Sequence, residues 1–599
     1  MTSYPAIEQH AVVGDRRTAA LVASDGTINW WCAPRYDSPS VFGSLLDDEH
    51  GGFWRLGPAG TEPGEQRYLG DTAVVVTRWS DSAAEVELTD LMPWPMDVRS
   101  ADVEHRHALV RRLCCTRGEA TCVLELQPRF DFALPFSLTA DEHHVLIQTP
   151  ETGITFWASC DVEVANGGVS ATIHLHEGEE VCTVVEYGVK TSPWSPDEVD
   201  RLYRATLEYW QSWADTLDYH GPHRARACRS ALTVHLLSYA PSGSMVAAPT
   251  TSLPERIGGD RNYDYRFAWV RDASLSMAVL ALLGDTEAAQ RYMDWLAGLD
   301  SATESPLQVM YQIDGGTDLS QRERTDIAGY RDSQPVRFGN HAALQRQLDS
   351  LGYLADCAFI YLSHGGPWND SYWELIRRSA DYTVANWHQP DSGIWELSDN
   401  QHYVSSKVMS WVTLERSIRI AHETGNDDAT HGWRDTMDQI HAEVMDRGWS
   451  DRLGAFRQRY EGDNLDASAL LIPVMGFLPP DHPRVHSTVR AIEETLTING
   501  FVHRFIAAET PGQGDLPLGA FEGAFLPCSF WLATTYAMMG RLGDAEQILV
   551  AAEQVAGGLG LFAEEIDAQN RYFLGNTPLL FSHVEYVRAL IEIGKHTAA

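Results

Sequence analysis

The chain has 599 residues, of which 83 are acidic and 45 are basic, so its formal net charge at pH 7 is −38. This charge repels phosphate backbones and anionic lipid surfaces, which argues against nucleic acid and membranes as partners and favours a small neutral substrate. A hydrophobic fraction of 44% over this length is typical of a well-packed globular protein that is too long for one core, and we expect two domains.

Residues 1–190 carry short runs in which apolar and polar residues alternate, such as Ala73 to Trp79 and Thr121 to Leu126. Asp25-Gly26 suits a tight turn between two of these runs. Because many short strands follow one another with few helical patterns between them, this segment is predicted to form an N-terminal antiparallel β-sandwich.

A linker helix is predicted within residues 191–220. Ser195 suits the N-cap, Pro196 suits the first helical position, and Glu198 is placed to close a capping box. Apolar residues then recur at helical spacing. This helix is expected to connect the sandwich to the second domain.

Residues 221–599 have a helical pattern throughout, in which long joins alternate with joins of a few residues. Six helical hairpins in a ring, an (α/α)6 barrel, produce this pattern because the short turns stay at one end and the long loops gather at the other. A solenoid of helix pairs is the alternative, but no sequence repeat at a fixed period supports it. The twelve predicted helices lie near 224–239, 273–284, 286–299, 341–363, 370–387, 405–423, 429–447, 464–476, 483–497, 522–540, 542–555 and 578–592.

The long loops are rich in residue types that bind sugars, and loops collected on one face of a rigid scaffold are where a site is expected. Aromatic faces stack on pyranose rings, while Arg-Asp pairs provide fixed hydrogen bonds to hydroxyl groups. The candidates for substrate binding come from these loops and from the start of the helix that follows the third long loop. They are Trp269, Arg271, Asp272, Tyr311, Trp395, Lys407 and Arg504.

Two glutamates are the candidates for catalysis. Glu396 lies in the third long loop beside Trp395, and a carboxylate desolvated by an indole has a raised pKa and holds a proton, as a general acid must. The simpler alternative is that Glu396 caps a helix or pairs with Lys407, and that Glu564, in the sixth loop, caps the last helix. Two carboxylates facing each other across a pocket, one protonated and one ionised, are what a glycosidase requires.

Several segments, spread nearly from end to end of the chain, form recognisable motifs. They read V-V-G-D-R-R-T-A-A-L-V-A-S-D-G-T-I-N-W, L-P-E-R-I-G-G-D-R-N-Y-D-Y-R-F-A-W-V-R-D, G-I-W-E, E-G-A-F-L-P-C-S-F-W and A-E-E-I-D. In these segments the chain resembles the glucoamylase and trehalase group of glycoside hydrolase family 15. The resemblance implies an N-terminal β-sandwich, an (α/α)6 catalytic barrel and inverting cleavage of α-glucosidic bonds. By motif position it also implies that Glu396 is the general acid, Glu564 the general base and Arg271-Asp272 the glucose-binding pair.

Three positions depart from the pattern that this resemblance leads us to expect. Bacterial members commonly read Y-G-E where this chain has Leu351-Gly352-Tyr353, they commonly have histidine where Ser405 stands, and Leu518 to Phe521 is altered. Both candidate catalytic carboxylates are retained. Because such loops build the pocket beyond the first glucose, the departures leave the substrate open.

The sequence therefore predicts an inverting α-glucoside hydrolase that releases β-glucose from trehalose or from a short α-gluco-oligosaccharide. An inverting phosphorylase is a second class with a sandwich and a helical barrel, but its site should lack a second carboxylate such as Glu564. A third class is a non-hydrolytic or reassigned family member, either a sugar-binding protein or a tailoring enzyme of small-molecule biosynthesis. Tyr353 and Ser405 motivate this third class, and the retained glutamates argue against it.

The remaining expectations concern cofactors and location. The nine cysteines are odd in number and contain no C-x-x-C spacing, which favours reduced thiols and argues against zinc. We expect neither a metal nor another cofactor. The N-terminus lacks a basic start and an apolar core, and no apolar run is long enough to span a bilayer, so a soluble, cytoplasmic protein is predicted. Whether it forms a homo-oligomer is left open.

Overall fold

The computed structural model describes residues 4–60, 62–94, 106–132, 134–140, 144–165, 167–189, 194–299, 305–507 and 516–597. The predicted domain boundary at residue 190 lies outside these ranges. Parts of two predicted loops, 300–304 and 508–515, lie outside them too.

The first part of the chain is built from β-strands. In the described part up to Tyr187 they are β1 His10–Gly14, β2 Ala19–Ala23, β3 Thr27–Cys32, β4 Ser40–Phe42, β5 Phe53–Pro58, β6 Glu65–Tyr68, β7 Val75–Ser80, β8 Glu85–Leu91, β9 Ala108–Arg117, β10 Glu119–Gln127, β11 Ser137–Ala140, β12 Val145–Gln148, β13 Gly153–Ala158, β14 Glu163–Ala165, β15 Gly168–His176 and β16 Glu180–Tyr187. They form two eight-stranded sheets, one ordered β1-β2-β3-β5-β10-β15-β14 with β4 on β3, the other β11-β12-β13-β16-β9-β8-β7-β6.

The two sheets form the predicted β-sandwich, and neighbouring strands pair antiparallel. In β8 the buried residues Val86, Leu88 and Asp90 alternate with partly exposed ones, as expected of a strand with one face in the core. Arg111 of β9 joins the layers, because its guanidinium donates to Asp90 and also to the carbonyl of Trp54 in the opposite sheet, each at 2.7 Å. The two sheets are therefore held together by a hydrogen bond from a buried, ion-paired guanidinium as well as by apolar packing.

The predicted linker helix is present as α1, Pro196–Ala214. The Ser195 hydroxyl accepts a hydrogen bond from the backbone N–H of Glu198 at 3.2 Å, which satisfies one of the free donors at the helix start. Trp213 stacks on His235 of the following helix with ring centroids 4.0 Å apart. The limits of the domains at residues 190 and 220 stay predictions.

Twelve α-helices follow in the described part of the chain beyond residue 220. They are α2 Arg224–Leu237, α3 Val270–Leu282, α4 Thr286–Ala297, α5 Asp349–Ser363, α6 Asp370–Asn386, α7 Val404–Thr424, α8 His431–Arg447, α9 Leu471–Val474, α10 Pro483–Thr495, α11 Leu526–Met538, α12 Leu542–Ala556 and α13 Leu580–Thr597. The helices α3, α5, α7, α9, α11 and α13 form a closed inner ring, in which each packs against the next and α13 packs against α3. The predicted (α/α)6 barrel is confirmed.

Each inner helix begins where a long loop ends, so the long loops meet at one end of the barrel. Two helices differ most from their predicted bounds. Residues 341–344 form a separate 3-10 turn capped by Asn340, and α5 begins only at Asp349, where Asp391 accepts the Leu348 N–H at 3.0 Å. The helix expected over 464–476 is reduced to a 3-10 turn and the single turn of α9. No helix among the described residues is long and apolar enough to cross a bilayer.

Candidate active site

A cavity of about 310 Å³ lies at the loop end of the barrel. Seven of the nine candidate residues line it, from four of the long loops and the first turn of α3: Trp269, Arg271, Asp272, Trp395, Glu396, Arg504 and Glu564. The structure therefore brings both predicted catalytic glutamates to one cavity.

Glu396 lies in the loop between α6 and α7 and is held by donors on two sides. Its Oε1 accepts hydrogen bonds from the indole N–H of Trp269 at 2.8 Å and from the guanidinium of Arg271 at 3.3 Å. Gln345 donates to its backbone carbonyl at 2.9 Å. Its φ of 57° is unusual for a residue with a side chain, and such strain is concentrated at functional sites. About 22% of the side chain is exposed, so Glu396 faces the open part of the cavity.

Glu564 is the buried member of the pair, with 1% of its surface exposed. Its Oε1 accepts a hydrogen bond from the Tyr265 hydroxyl at 2.5 Å, and its Oε2 accepts one from the backbone N–H of Asn576 at 3.2 Å. Burial, reinforced by the negative charge of Glu255, raises the pKa of Glu564 above that of an exposed glutamate. Gly575 has φ +72°, and a Cβ at that position would lie 2.4 Å from the Glu564 Oε2.

An aromatic pair connects the two glutamates. Tyr265 donates to Glu564 and Trp269 donates to Glu396. The two rings meet edge to face with centroids 5.5 Å apart. One segment of the first loop therefore positions both carboxylates.

The pair Arg271-Asp272 opens the first turn of α3, where both side chains are buried. The Arg271 Nε donates to Asp272 at 3.1 Å, and its Nη1 donates to the backbone carbonyl of Ile394 at 3.1 Å and to Gln347 at 3.4 Å. Burial raises the pKa of Asp272, and the Arg271 charge opposes this effect. The pair is thus rigidly fixed beside Glu396.

Arg504 is fixed by three buried carboxylates. It donates to Glu522 at 2.7 Å and to Glu255 at 2.8 Å, and lies 3.5 Å from Glu565. Glu255 also accepts from Arg261 at 2.5 Å. Among the described residues, these three glutamates are the group whose spacing would suit a metal ion. Because two guanidinium groups already pair with them, the arrangement is that of a buried salt-bridge network.

The barrel and the sandwich each match a known family. The model of the glycosyl hydrolases family 15 matches residues 221–545, more than half of the chain, and the model of a trehalase-like N-terminal domain matches residues 2–210. The chain belongs to glycosyl hydrolase family 15. It is therefore a glycoside hydrolase.

Individual proteins resemble this family 15 chain over most of their length. A trehalase of Mycolicibacterium smegmatis is 34% identical, covering 98% of this chain and 91% of its own. A trehalase of Thermoplasma volcanium is 31% identical, covering 98% and 93%. A bacterial glucoamylase solved in complex with acarbose has a TM-score of 0.73 at 12% identity, covering 99% of this chain and 94% of its own. This structural similarity confirms the predicted order of sandwich and barrel.

Two candidate residues do not line the cavity of the family 15 enzyme. Tyr311 is 1% exposed, packs edge to face on Trp295 and accepts the backbone N–H of Gln308 at 2.8 Å. Lys407 is fully buried, and its ammonium donates to the carbonyl oxygens of Trp387 and Gln389. Lys407 thus ties the end of α6 to α7, at the base of the loop that carries Glu396, which corrects its predicted role in substrate binding.

The indole expected to desolvate Glu396 is also a different one. Trp395 donates its N–H to Asp466 at 2.8 Å, while the indole that contacts Glu396 belongs to Trp269. The predicted contact between Trp395 and Glu396 is therefore replaced by one between Trp269 and Glu396.

The positions that depart from the family pattern lie away from the cavity surface. Tyr353 is in the middle of α5 and Ser405 is in the first turn of α7, and both are buried. Neither lines the cavity. Phe521 lies closer, because its ring packs under the guanidinium of Arg261 at 4.7 Å, and Arg261 does line the cavity.

Four residues that hold the candidate site residues in place were not predicted from the sequence. Tyr265 could have been found, because it lies four residues before Trp269 in the motif that contains Arg271-Asp272. Glu255 lies in that motif too, and Asn576 lies in the segment G-N-T-P-L-L-F that follows A-E-E-I-D. Gln345 carries no such signal, since an isolated amide in a loop has no pattern that reveals its partner.

Proposed function

We propose that this enzyme is an inverting α-glucosidase, with trehalose or a short α-gluco-oligosaccharide as substrate. The observation that carries the proposal is that Glu396 and Glu564 line one cavity together with Arg271-Asp272. The relatives named trehalase support trehalose as the first choice. A volume of about 310 Å³ is near the lower limit for ligand pockets, which favours a short substrate.

Glu396 is assigned as the general acid. It is the more exposed of the two carboxyl groups, and the leaving group of a glycoside bound in a pocket departs towards the open side. In the proposed step, the carboxyl proton of Glu396 passes to the glycosidic oxygen as the bond from that oxygen to C1 breaks.

Glu564 is assigned as the general base. A water molecule attacks C1 from the face opposite the leaving group, and Glu564 accepts the proton that this water loses. The products are β-glucose and the free hydroxyl of the leaving group. Proton exchange with solvent returns both carboxyl groups to their starting states. In this assignment the Tyr265 hydroxyl and the Asn576 N–H each hold one oxygen of Glu564, which fixes the orientation of the carboxylate towards the water.

Arg271 and Asp272 are assigned to the hydroxyl groups of the non-reducing glucose, since their side chains form a rigid, buried donor and acceptor at the cavity wall. Trp269, Trp395 and Arg504 complete the proposed sugar-binding surface. The retained Glu564 disfavours a phosphorylase, in which phosphate replaces both water and base. The buried positions of Tyr353 and Ser405 weaken the motive for a non-hydrolytic relative.

The test is direct. The protein is incubated with trehalose, maltose, isomaltose and starch, and free glucose is assayed. Release from trehalose or from the short oligosaccharides is expected, with starch the poorest substrate. No release from any of the four would refute the hydrolase proposal for this chain.

A further inference from the structure

A second cavity, of about 570 Å³, lies beside the catalytic one. The two share Asn340, His341 and Gln345 in their walls. Neither Glu396 nor Glu564 lines the second cavity, so the catalytic chemistry does not account for it.

The lining of this second cavity has the chemistry of a site for a neutral polyol. Eight of its side chains are amides or aliphatic hydroxyls, and the ring of Tyr382 adds an aromatic face. The charged side chains are engaged locally, since Asp318 accepts from Ser320 at 2.7 Å and Arg346 donates to Gln389. Uncharged donors and acceptors with one aromatic face suit a hydroxyl-rich ring better than an ion. The eight are Ser305, Gln308, Thr317, Ser320, Asn340, Gln345, Gln347 and Ser350.

Ser350 points to a ligand independently of the cavity size. It is the second residue of α5, it is 4% exposed, and its Oγ has no hydrogen-bond partner among the described residues. Buried hydroxyl groups almost always have a partner. Because Ser350 lines the second cavity, a hydroxyl of a bound molecule would supply that partner.

Two glutamines connect the second cavity to the catalytic groups. Gln347 donates to the side chain of Gln345 at 3.0 Å, and Gln345 donates to the backbone carbonyl of Glu396 at 2.9 Å. The Gln347 Oε1 also accepts from Arg271 at 3.4 Å. A molecule that hydrogen-bonds to either glutamine therefore competes with contacts that hold Glu396 and Arg271.

We propose that the second cavity binds a neutral hexose, and that its occupant alters catalysis through Gln345 and Gln347. Glucose is the appropriate probe. The proposed binding of a hexose is inferred from the lining of the second cavity and from the unpartnered Ser350 hydroxyl. The proposed effect on catalysis rests in addition on the proposed hydrolase function.

Binding is tested by equilibrium dialysis of labelled glucose against three forms of the full-length protein. Ser350→Phe fills the second cavity and should bind one glucose fewer per chain than the wild type. Ser363→Phe, at the exposed end of the same helix, is the matched control and should bind as many as the wild type. An unchanged number of sites in Ser350→Phe would overturn the proposal.

A second variant keeps the test decisive if Ser350→Phe does not fold. Thermal melting shows whether Ser350→Phe is folded, and Tyr382→Ala, on a half-buried face of α6, removes the aromatic face without filling the cavity. Tyr382→Ala should weaken glucose binding at the lost site about tenfold while the remaining site is unchanged. Equal binding in the wild type and Tyr382→Ala would count against a hexose in this cavity.

Inhibition kinetics test the connection to catalysis. Glucose should inhibit the wild type and Ser363→Phe in a mixed manner, lowering kcat as well as raising KM, and should inhibit Ser350→Phe only competitively. Purely competitive inhibition of the wild type would refute the effect on catalysis. Failure of the proposed function is distinguishable, because it would abolish glucose release while leaving the dialysis result intact.

Discussion

Replacing Gly575 by alanine tests whether the position of Glu564 matters for catalysis. A Cβ at residue 575 would lie 2.4 Å from the Glu564 Oε2, whereas ordinary contacts begin at 3.4 Å. The carboxylate must therefore move by about 1 Å. A misplacement of that size costs about 10²-fold in rate, which corresponds to about 2.7 kcal/mol in the activation free energy.

The same substitution also reduces the free energy of unfolding in a way that is unrelated to Glu564, because alanine at a φ of +72° is strained by about 1–2 kcal/mol. Gly540 supplies the matched control. It has φ +77°, and a Cβ there would meet nothing within 4 Å. Gly540→Ala therefore carries the backbone strain without the displacement of a carboxylate.

The assay measures kcat for glucose release together with the free energy of unfolding for both variants. Gly575→Ala should lose more stability than Gly540→Ala, because it adds the clash with buried Glu564 to the shared backbone strain. In addition, kcat should fall about 10²-fold in Gly575→Ala and remain near the wild-type value in Gly540→Ala. If the two variants differ by less than threefold in kcat, the position of Glu564 is not critical, and its assignment as the base fails.

The remaining predictions concern the two carboxyl groups. Glu396→Gln should reduce turnover of trehalose by about 10²–10⁴-fold while sparing activated aryl glucosides, whose leaving groups need no proton; equal losses on both would exclude Glu396 as the acid. Proton NMR in the first minutes should show β-glucose, because a base and an acid about 6.5–9.5 Å apart leave room for a water molecule; α-glucose as the first product would contradict inversion. Because Glu564 must be ionised to act and its pKa is raised by burial and by Glu255, kcat/KM should fall as the pH decreases through that raised value. Glu255→Gln should move this fall in kcat/KM to lower pH, because the variant removes a charge that raises the pKa of Glu564. Glu374→Gln, on the surface, should leave the pH of the fall unchanged. A shift to higher pH in Glu255→Gln would show that Glu255 does not raise the pKa of the group that must be ionised.

The architecture was predictable because it depends on patterns that extend over many residues. The alternation of long and short joins indicated the barrel, and each helix hairpin contributes to that pattern. The first and last residues of individual helices depend on single contacts and were less predictable. The N-terminal bound of α5 is set by Asp391, from a different loop, which accepts the Leu348 N–H, and nothing in the local sequence of residues 341–349 reveals that partner.

The candidate site was predictable as far as its motifs extend. Glu396, Glu564 and Arg271-Asp272 could be predicted to share one cavity because loop position and the family motif agree. Tyr311 was assigned to the site because its loop is long and polar. That loop instead packs partly on the N-terminal segment, where Tyr330 donates to the carbonyl of Pro5 at 2.8 Å. The direction in which a loop side chain points depends on such long-range contacts, which the local sequence does not show.

The edge-to-face rings of Tyr265 and Trp269 act as a spacer of fixed length between Glu396 and Glu564, the proposed acid and base. Each catalytic loop is fastened to one end of this spacer by a single hydrogen bond. In the proposed mechanism, the distance between the two carboxyl groups, which decides whether a glycosidase inverts or retains, depends on the first loop, although that loop carries neither group. The third and sixth loops can then change around a new leaving group wherever they do not contact the two glutamates as Gly575 does, and an exchange of the first loop is a change that puts the stereochemical outcome at risk.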